Sequence, residues 1–305
     1  MPQITADSPG AIPEFTAPAA PGYFIPEDNS SERRLTLFIF LFGCCYLWLF
    51  RRYTTMDPDE GIILQGAQRI LDGQVPYRDF FSFLTPASFY QTALLLRIFG
   101  DSIIVARTAL VIIGASISSI TYLLARRVCS RTVSVSAAVV SIIATLPYRF
   151  VVLHNWDSTF WAVLGTYAGL RWLESKRSRW ALLVGLTISL TCLCEQSKGV
   201  GILLGVFLTF TALLVARQIT RKIANSAGIA FAIGFLAPIL GTILFFAAHR
   251  ALGPMVDDLL WPFRYYSTAN HVPYGYQNWS DSTRVLLFGS GTFLERFIAL
   301  WAVSP

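Results

Sequence analysis

Charge is scarce in this chain. Of its 305 residues only 14% are charged, while 54% are hydrophobic; soluble domains carry about 25% charged residues. A water-soluble fold could not hide so much apolar surface in one core, so the bilayer is the solvent that fits. The mean hydropathy of +0.54 agrees. Histidine is rare, and the five cysteines include no C-x-x-C pair and no Cys/His metal spacing. That argues against a disulfide framework or a zinc module. Cys44, Cys45, Cys192 and Cys194 sit in apolar runs and Cys129 beside a basic cluster, as small hydrophobes do. The net charge of +6 is not a nucleic-acid signal, because the basic residues fall in short clusters between apolar runs. Residues 1–31 lack the basic start and apolar centre of a signal peptide. Proline-rich and aperiodic, they read as a disordered, uncleaved cytoplasmic tail.

What the chain does have is apolar runs, near 35–50, 103–125, 133–148, 158–173, 180–194, 199–216 and 226–248, with a weaker one near 285–303. Several fall short of the roughly 20 residues a perpendicular span needs, but amphipathic flanks extend them. The expectation is an all-α, polytopic transmembrane bundle of seven or eight spans, with residues 32–305 as one membrane domain. Three basic clusters (Arg126, Arg127, Arg131; Lys176, Arg177, Arg179; Arg217, Arg221, Lys222) recur every two spans, which places them on the cytoplasmic side. Arg33 and Arg34 place the N-terminus there too. Arg51 and Arg52 conflict with this frame. Segments 51–102, 149–157, 195–198 and 249–285 then lie outside and hold most of the Asp, His and loop aromatics. Residues 86–99 are predicted to be a helix on the outer interface.

The first outer segment contains TTMDPDEGIILQGAQRILDGQVPYRDFF, residues 54–81. Asp57 as N-cap, Pro58 at the first helical position and Glu60 in the cap predict a helix start. Ile63, Ala67, Ile70 and Leu71 share its apolar face, and Asp72-Gly73 ends it. Asp59 is not needed by the cap. A carboxylate held there, beside the bilayer, is a candidate general base; the alternative is a contribution to capping and solubility alone.

The string DPDEGIILQGAQRILDGQVPYRDFF, followed by TPASFYQTALLLRIFGDSIIVARTALVIIGA, resembles the first outer loop and second span of the glycosyltransferase C superfamily. The nearest families are the dolichyl-phosphate-mannose protein mannosyltransferases and the lipid A aminoarabinose transferases. The shared features are Asp59-Glu60 after the first span, the turn Pro76 to Phe81, Ile98-Phe99-Gly100 and Arg107, over about residues 35–220. TPASFY departs from the double proline common in the family. The resemblance implies inverting transfer of a sugar from a polyprenyl-phosphate donor to a lipid, glycan or protein acceptor on the outer face. Asp59 would be the base, with Glu60 beside it, and Asp157 in HNWDS the family's second acid, unless it caps the next helix. His154 is either a loop histidine or an acceptor contact. Lys198 would neutralise the lipid phosphate, unless it merely pairs with Glu195. Arg78 and Arg264 are weaker phosphate candidates, the first able to pair with Asp79 and the second to snorkel. Tyr77, Trp261 and Tyr265 are candidate sugar or acceptor contacts, or interface aromatics. His271 has no identifiable partner, and the sequons at Asn29 and Asn278 are read as chance. No cofactor or metal is expected to be obligatory, although paired carboxylates could hold a divalent ion. The partners implied are the donor, the acceptor and the bilayer of a bacterial inner membrane, with no nucleic acid.

Two other classes compete. A transporter or flippase would carry polar groups at mid-membrane and often an internal repeat; the span interiors here are nearly uncharged and no repeat is evident. A non-catalytic subunit, or a fragment of a longer enzyme, fits the ending FLERFIALWAVSP, which stops at an apolar segment.

Overall fold

The computed structural model describes residues 30–52 and 57–269. Among them are ten α-helices, a short 3-10 turn and no strand. The helices are α1 (Ser30–Trp48), α2 (Pro58–Leu71), α3 (Ala87–Phe99), α4 (Ile103–Ala125), α5 (Arg131–Ile143), α6 (His154–Ser175), α7 (Ser178–Cys194), α8 (Gln196–Val215), α9 (Arg221–Ala248) and α10 (Leu252–Ala269). The tail before residue 30, His271, Asn278 and the weak run at 285–303 lie outside the described residues.

Local chemistry sets the first outer helices. Asp57 caps α2 by accepting a hydrogen bond from the Asp59 amide at 2.9 Å, with Pro58 following it. Ile63 and Ala67 are buried, and the helix stops at Asp72, with Gly73 at φ 85°. The helix predicted over 86–99 is α3. The run at 133–148 ends early: α5 stops at Ile143 and Pro147 sits in the 3-10 turn Leu146–Arg149. At 13 residues, α5 is about 20 Å long, short of a bilayer core.

Among the described residues, three helices are long and apolar enough to cross a membrane: α4, α8 and α9. The remaining apolar helices fall short for identifiable reasons. α1 carries Glu32, Arg33 and Arg34 in its first turn, α6 includes Asp157, Arg171 and Glu174, and α5 and α7 are short. On α8 and α9, Phe207, Leu208, Ile229 and Leu244 are all more than 60% exposed. An apolar surface of that kind needs a lipid or a partner to cover it.

The most extensive packing joins α7 to α9 and to α6. A Cβ on Gly185 would stand 2.2 Å from the Phe231 carbonyl, and one on Gly234 would stand 2.1 Å from that of Leu182. The two backbones therefore touch, the close approach that small residues permit between membrane helices. The starts of α1, α5, α7 and α9 gather at one end with the basic loops. Arg127 of the α4–α5 loop pairs with Glu174 of α6 at 2.7 Å, and Glu32 of α1 is met by Arg126 and Arg131 at 3.5 and 3.4 Å. Arg51, the cation that breaks the charge pattern, lies over the Trp48 ring at 3.3 Å and donates to Thr108 at 3.1 Å. Cation–π and hydrogen-bond contacts of this kind hold a charge without a loop full of water.

Candidate active site

The acidic end of the bundle is organised by one buried ion pair. Both Glu60 oxygens bind Arg107, at 2.9 and 2.6 Å, and one also accepts from the Val152 amide at 3.1 Å. The side chains are 2% and 5% exposed. A bidentate pair so enclosed is strong because geometry and extra hydrogen bonds offset desolvation. It joins the start of α2 to α4 and to the extended segment before α6. The sequence assigns Glu60 to the helix cap and to the catalytic set. Its carboxylate instead turns away from the cap, into this clasp. Asp59, one residue earlier, is exposed.

Across from α2 lies the first turn of α6. Its N-cap is Leu153, with no side-chain bond, so capping is not the role of Asp157. That carboxylate is buried and accepts from Gln91 of α3 at 2.8 Å. Burial pushes it up to about 6, against the pull of hydrogen bonding from Ser88 and Gln91. His154 opens the same turn. Burial lowers its pKa, with Glu195 and Asp59 pulling upward and Lys198 downward, so Asp59, His154, Glu195 and Lys198 share one electrostatic environment.

The third element is the break between α7 and α8 at Glu195, whose φ and ψ of −156° and 106° are extended. Lys198, in the first turn of α8, pairs with Glu195 at 2.9 Å. It also donates to Ser158 at 2.8 Å, Thr159 at 3.0 Å and the Asn155 carbonyl at 3.2 Å. Glu195 meets the Ser158 hydroxyl at 2.7 Å. Burial disfavours its charge, but Ser158 and Lys198 together hold its pKa below the usual range. The Lys198 side chain remains 30% exposed.

The other sequence candidates form a second group around α10. Arg78 binds Asp79 through two bonds of 2.9 and 2.8 Å and donates to the His249 carbonyl at 3.2 Å. The hydrogen bond from Arg78, with that from the Val75 amide, lowers Asp79 to about 2. Tyr77, at φ 70°, turns inward: its hydroxyl donates to the Leu84 carbonyl at 2.8 Å and its ring meets Phe246 edge-on. Trp261 packs on Phe81, Phe83 and Tyr265. Arg264 meets Asp257 at 3.6 Å on the open surface. Between α3, α7 and α9 lies a largely apolar groove of about 320 Å³ lined by Tyr90, Leu193, Pro238, Thr242 and Phe246. Among the described residues no three His, Cys, Asp or Glu side chains are grouped to hold a metal ion.

Sequence reasoning missed Gln91, Ser158 and the pairing role of Arg107. The local signal for Gln91 is weak, since Ser88, Thr92 and Arg97 are also polar in the helix 86–99.

An all-helical chain with apolar, outward-facing helices and a cluster of acids and one lysine at one end is an integral membrane protein with a polar end site. Its family follows from comparison. The model of the dolichyl-phosphate-mannose-protein mannosyltransferase family matches residues 84–242, just over half of the chain, and the chain belongs to that family. It is a membrane glycosyltransferase of the C type. The matched segment includes Gln91, Arg107, His154, Asp157, Glu195 and Lys198, while Asp59 and Glu60 precede it. Neither the curated proteins nor the solved structures contain a match to this chain.

Proposed function

We propose that the chain transfers a sugar from a polyprenyl-phosphate donor to an acceptor on the outer face of the membrane, with Asp59 as general base. The observation that carries this reading is the Glu195–Lys198 pair bound to the first turns of α6. His154 opens that helix, the exposed Asp59 also acts on its charge, and the buried Glu60–Arg107 clasp holds α2 and the segment before α6. The acceptor oxygen attacks the anomeric carbon, and the bond from that carbon to the phosphate oxygen breaks. The acceptor proton passes to Asp59 and the electron pair leaves with the polyprenyl phosphate. Attack opposite the leaving group inverts the anomeric centre. Lys198, fixed by Ser158, Thr159 and Asn155, stabilises the developing phosphate charge. Asp157 is a positioning residue, tying the α6 turn to α3 through Gln91.

The groove beside Leu193, two residues before Glu195, suits the isoprenoid chain. In this reading α1 and α4 to α9 cross the bilayer, α6 from Ser158 onward and α5 with help from its flanks. The basic loops and the N-terminus face the cytoplasm, and α2 and α3 lie on the outer interface.

The test supplies the purified full chain with polyprenyl-phosphate hexoses and a membrane extract of lipids, glycans and proteins as the source of acceptor, and counts released polyprenyl phosphate. Asp59→Asn should slow release by about 10²–10⁴-fold at an unchanged Tm. Equal turnover by wild type and variant would remove Asp59 from the mechanism.

A further inference from the structure

We propose that the basic end of the bundle carries a second binding site, for the phosphate headgroup of an anionic phospholipid. A groove of about 650 Å³ runs between the starts of α1 and α5. α1 lines it with Ser31, Arg34, Leu35 and Phe38, which fall at i, i+3, i+4 and i+7 on one helical face. α5 contributes Arg131, Thr132 and, one turn further, Val135. The two arginines thus stand at the helix starts, and one turn deeper the lining is apolar except for Ser136, the order of headgroup and acyl chain.

Charge at the mouth favours an anion. Arg131 donates to Ser31 at 2.6 Å, which fixes its guanidinium over the groove, and its side chain remains 47% exposed. Arg34 is exposed and donates to the Ser30 carbonyl at 3.2 Å. The nearest acid, Glu32, is already met by Tyr122, Arg126 and Arg131. Three of the described arginines, Arg34, Arg126 and Arg131, stand at this end with the carboxylate of Glu32. The positive ends of the α1 and α5 dipoles add to the same field. A free phosphate would find the arginines but leave Leu35, Phe38 and Val135 uncovered, and a phospholipid satisfies both. This site rests on the bilayer placement of the basic end and is independent of the transferase chemistry at the other end.

The test reconstitutes the full chain in nanodiscs of equal parts phosphatidylglycerol and phosphatidylcholine, extracts it into mild detergent and counts retained lipids by native mass spectrometry. Wild type should retain phosphatidylglycerol over phosphatidylcholine. Arg34→Gln should weaken that preference about five-fold, and Arg34→Gln with Arg131→Gln by more than ten-fold. Arg97→Gln, at the other end, should leave it unchanged. Arg34→Gln alone preserves the Glu32 pairing, so it reports even if the double variant unfolds. An unchanged preference in Arg34→Gln, or equal retention of the two lipids by wild type, overturns the site. So does displacement of the lipid by glycerol 3-phosphate alone, which would assign the arginines to a soluble phosphate. A folded wild type that retains neither lipid overturns the site as well.

Discussion

The two ends of the helix bundle use charge in opposite ways. At the basic end each named acid is surrounded: Glu32 by Tyr122, Arg126 and Arg131, and Glu174 by Arg127 and Arg171. Those pairs tie helix to helix and leave the surplus charge positive. At the acidic end one pair, Glu60–Arg107, is closed in the same manner, but beside it Asp59 is exposed and Lys198 is only partly covered. The enclosed pairs hold the helices together, whereas the Asp59 and Lys198 side chains keep solvent-facing surface beside them.

The largest expected effect comes from opening the enclosed pair. Glu60→Gln leaves the Arg107 guanidinium, 5% exposed, without its carboxylate, and should cost about 3–5 kcal/mol, read as a fall in Tm in detergent. Glu32→Gln, at a site 15% exposed, should cost less; the reverse order would break the comparison.

Next in size is the pH response of Asp157. Its carboxyl rises from 3.8 to about 6 in the fold, so the folded state holds a proton that the unfolded chain releases. Stability contributed by that proton is complete below pH 3.8, falls as pH rises toward 6 and is gone above it, a change on the order of 3 kcal/mol. Asp157→Asn should remove this slope from unfolding curves between pH 4 and 6, and at pH 7 the variant should be no less stable than wild type. A slope that persists in the variant would mean another group carries it.

The smallest effect is expected at Arg78. Its pair with Asp79 is exposed, and exposed pairs contribute little. Arg78→Gln should leave Tm unchanged within error; a fall of several degrees would show that surface pairs hold the acidic end together.

Much of this architecture is legible residue by residue. Asp57-Pro58 and Asp72-Gly73 bound α2, and the apolar runs correspond to α1 and α4 to α9, because caps, prolines and hydrophobic runs are local signals. The truncation of α5 is local as well, since Pro147 is in plain view. The site is less legible. Glu60 and Arg107 stand 47 residues apart, and Gln91 and Asp157 stand 66 apart. Nothing in the spacing of either pair announces the contact. Glu60 looks like a capping acid because its position in the first turn suits one. The tertiary partner overrides that preference, since two strong bonds to a guanidinium outweigh one to a backbone amide. Lys198 with Glu195 is legible because the two stand three residues apart, one at the cap and one in the first turn of α8.

The most direct test of the central claim is lipid mass spectrometry on wild type and Asp59→Asn purified in mild detergent. A polyprenyl-phosphate sugar should be retained by both proteins, with conversion to the bare polyprenyl phosphate on adding acceptor in wild type alone. Well-folded preparations that retain no polyprenyl lipid, or an Asp59→Asn variant that turns the lipid over at the wild-type rate, would contradict it.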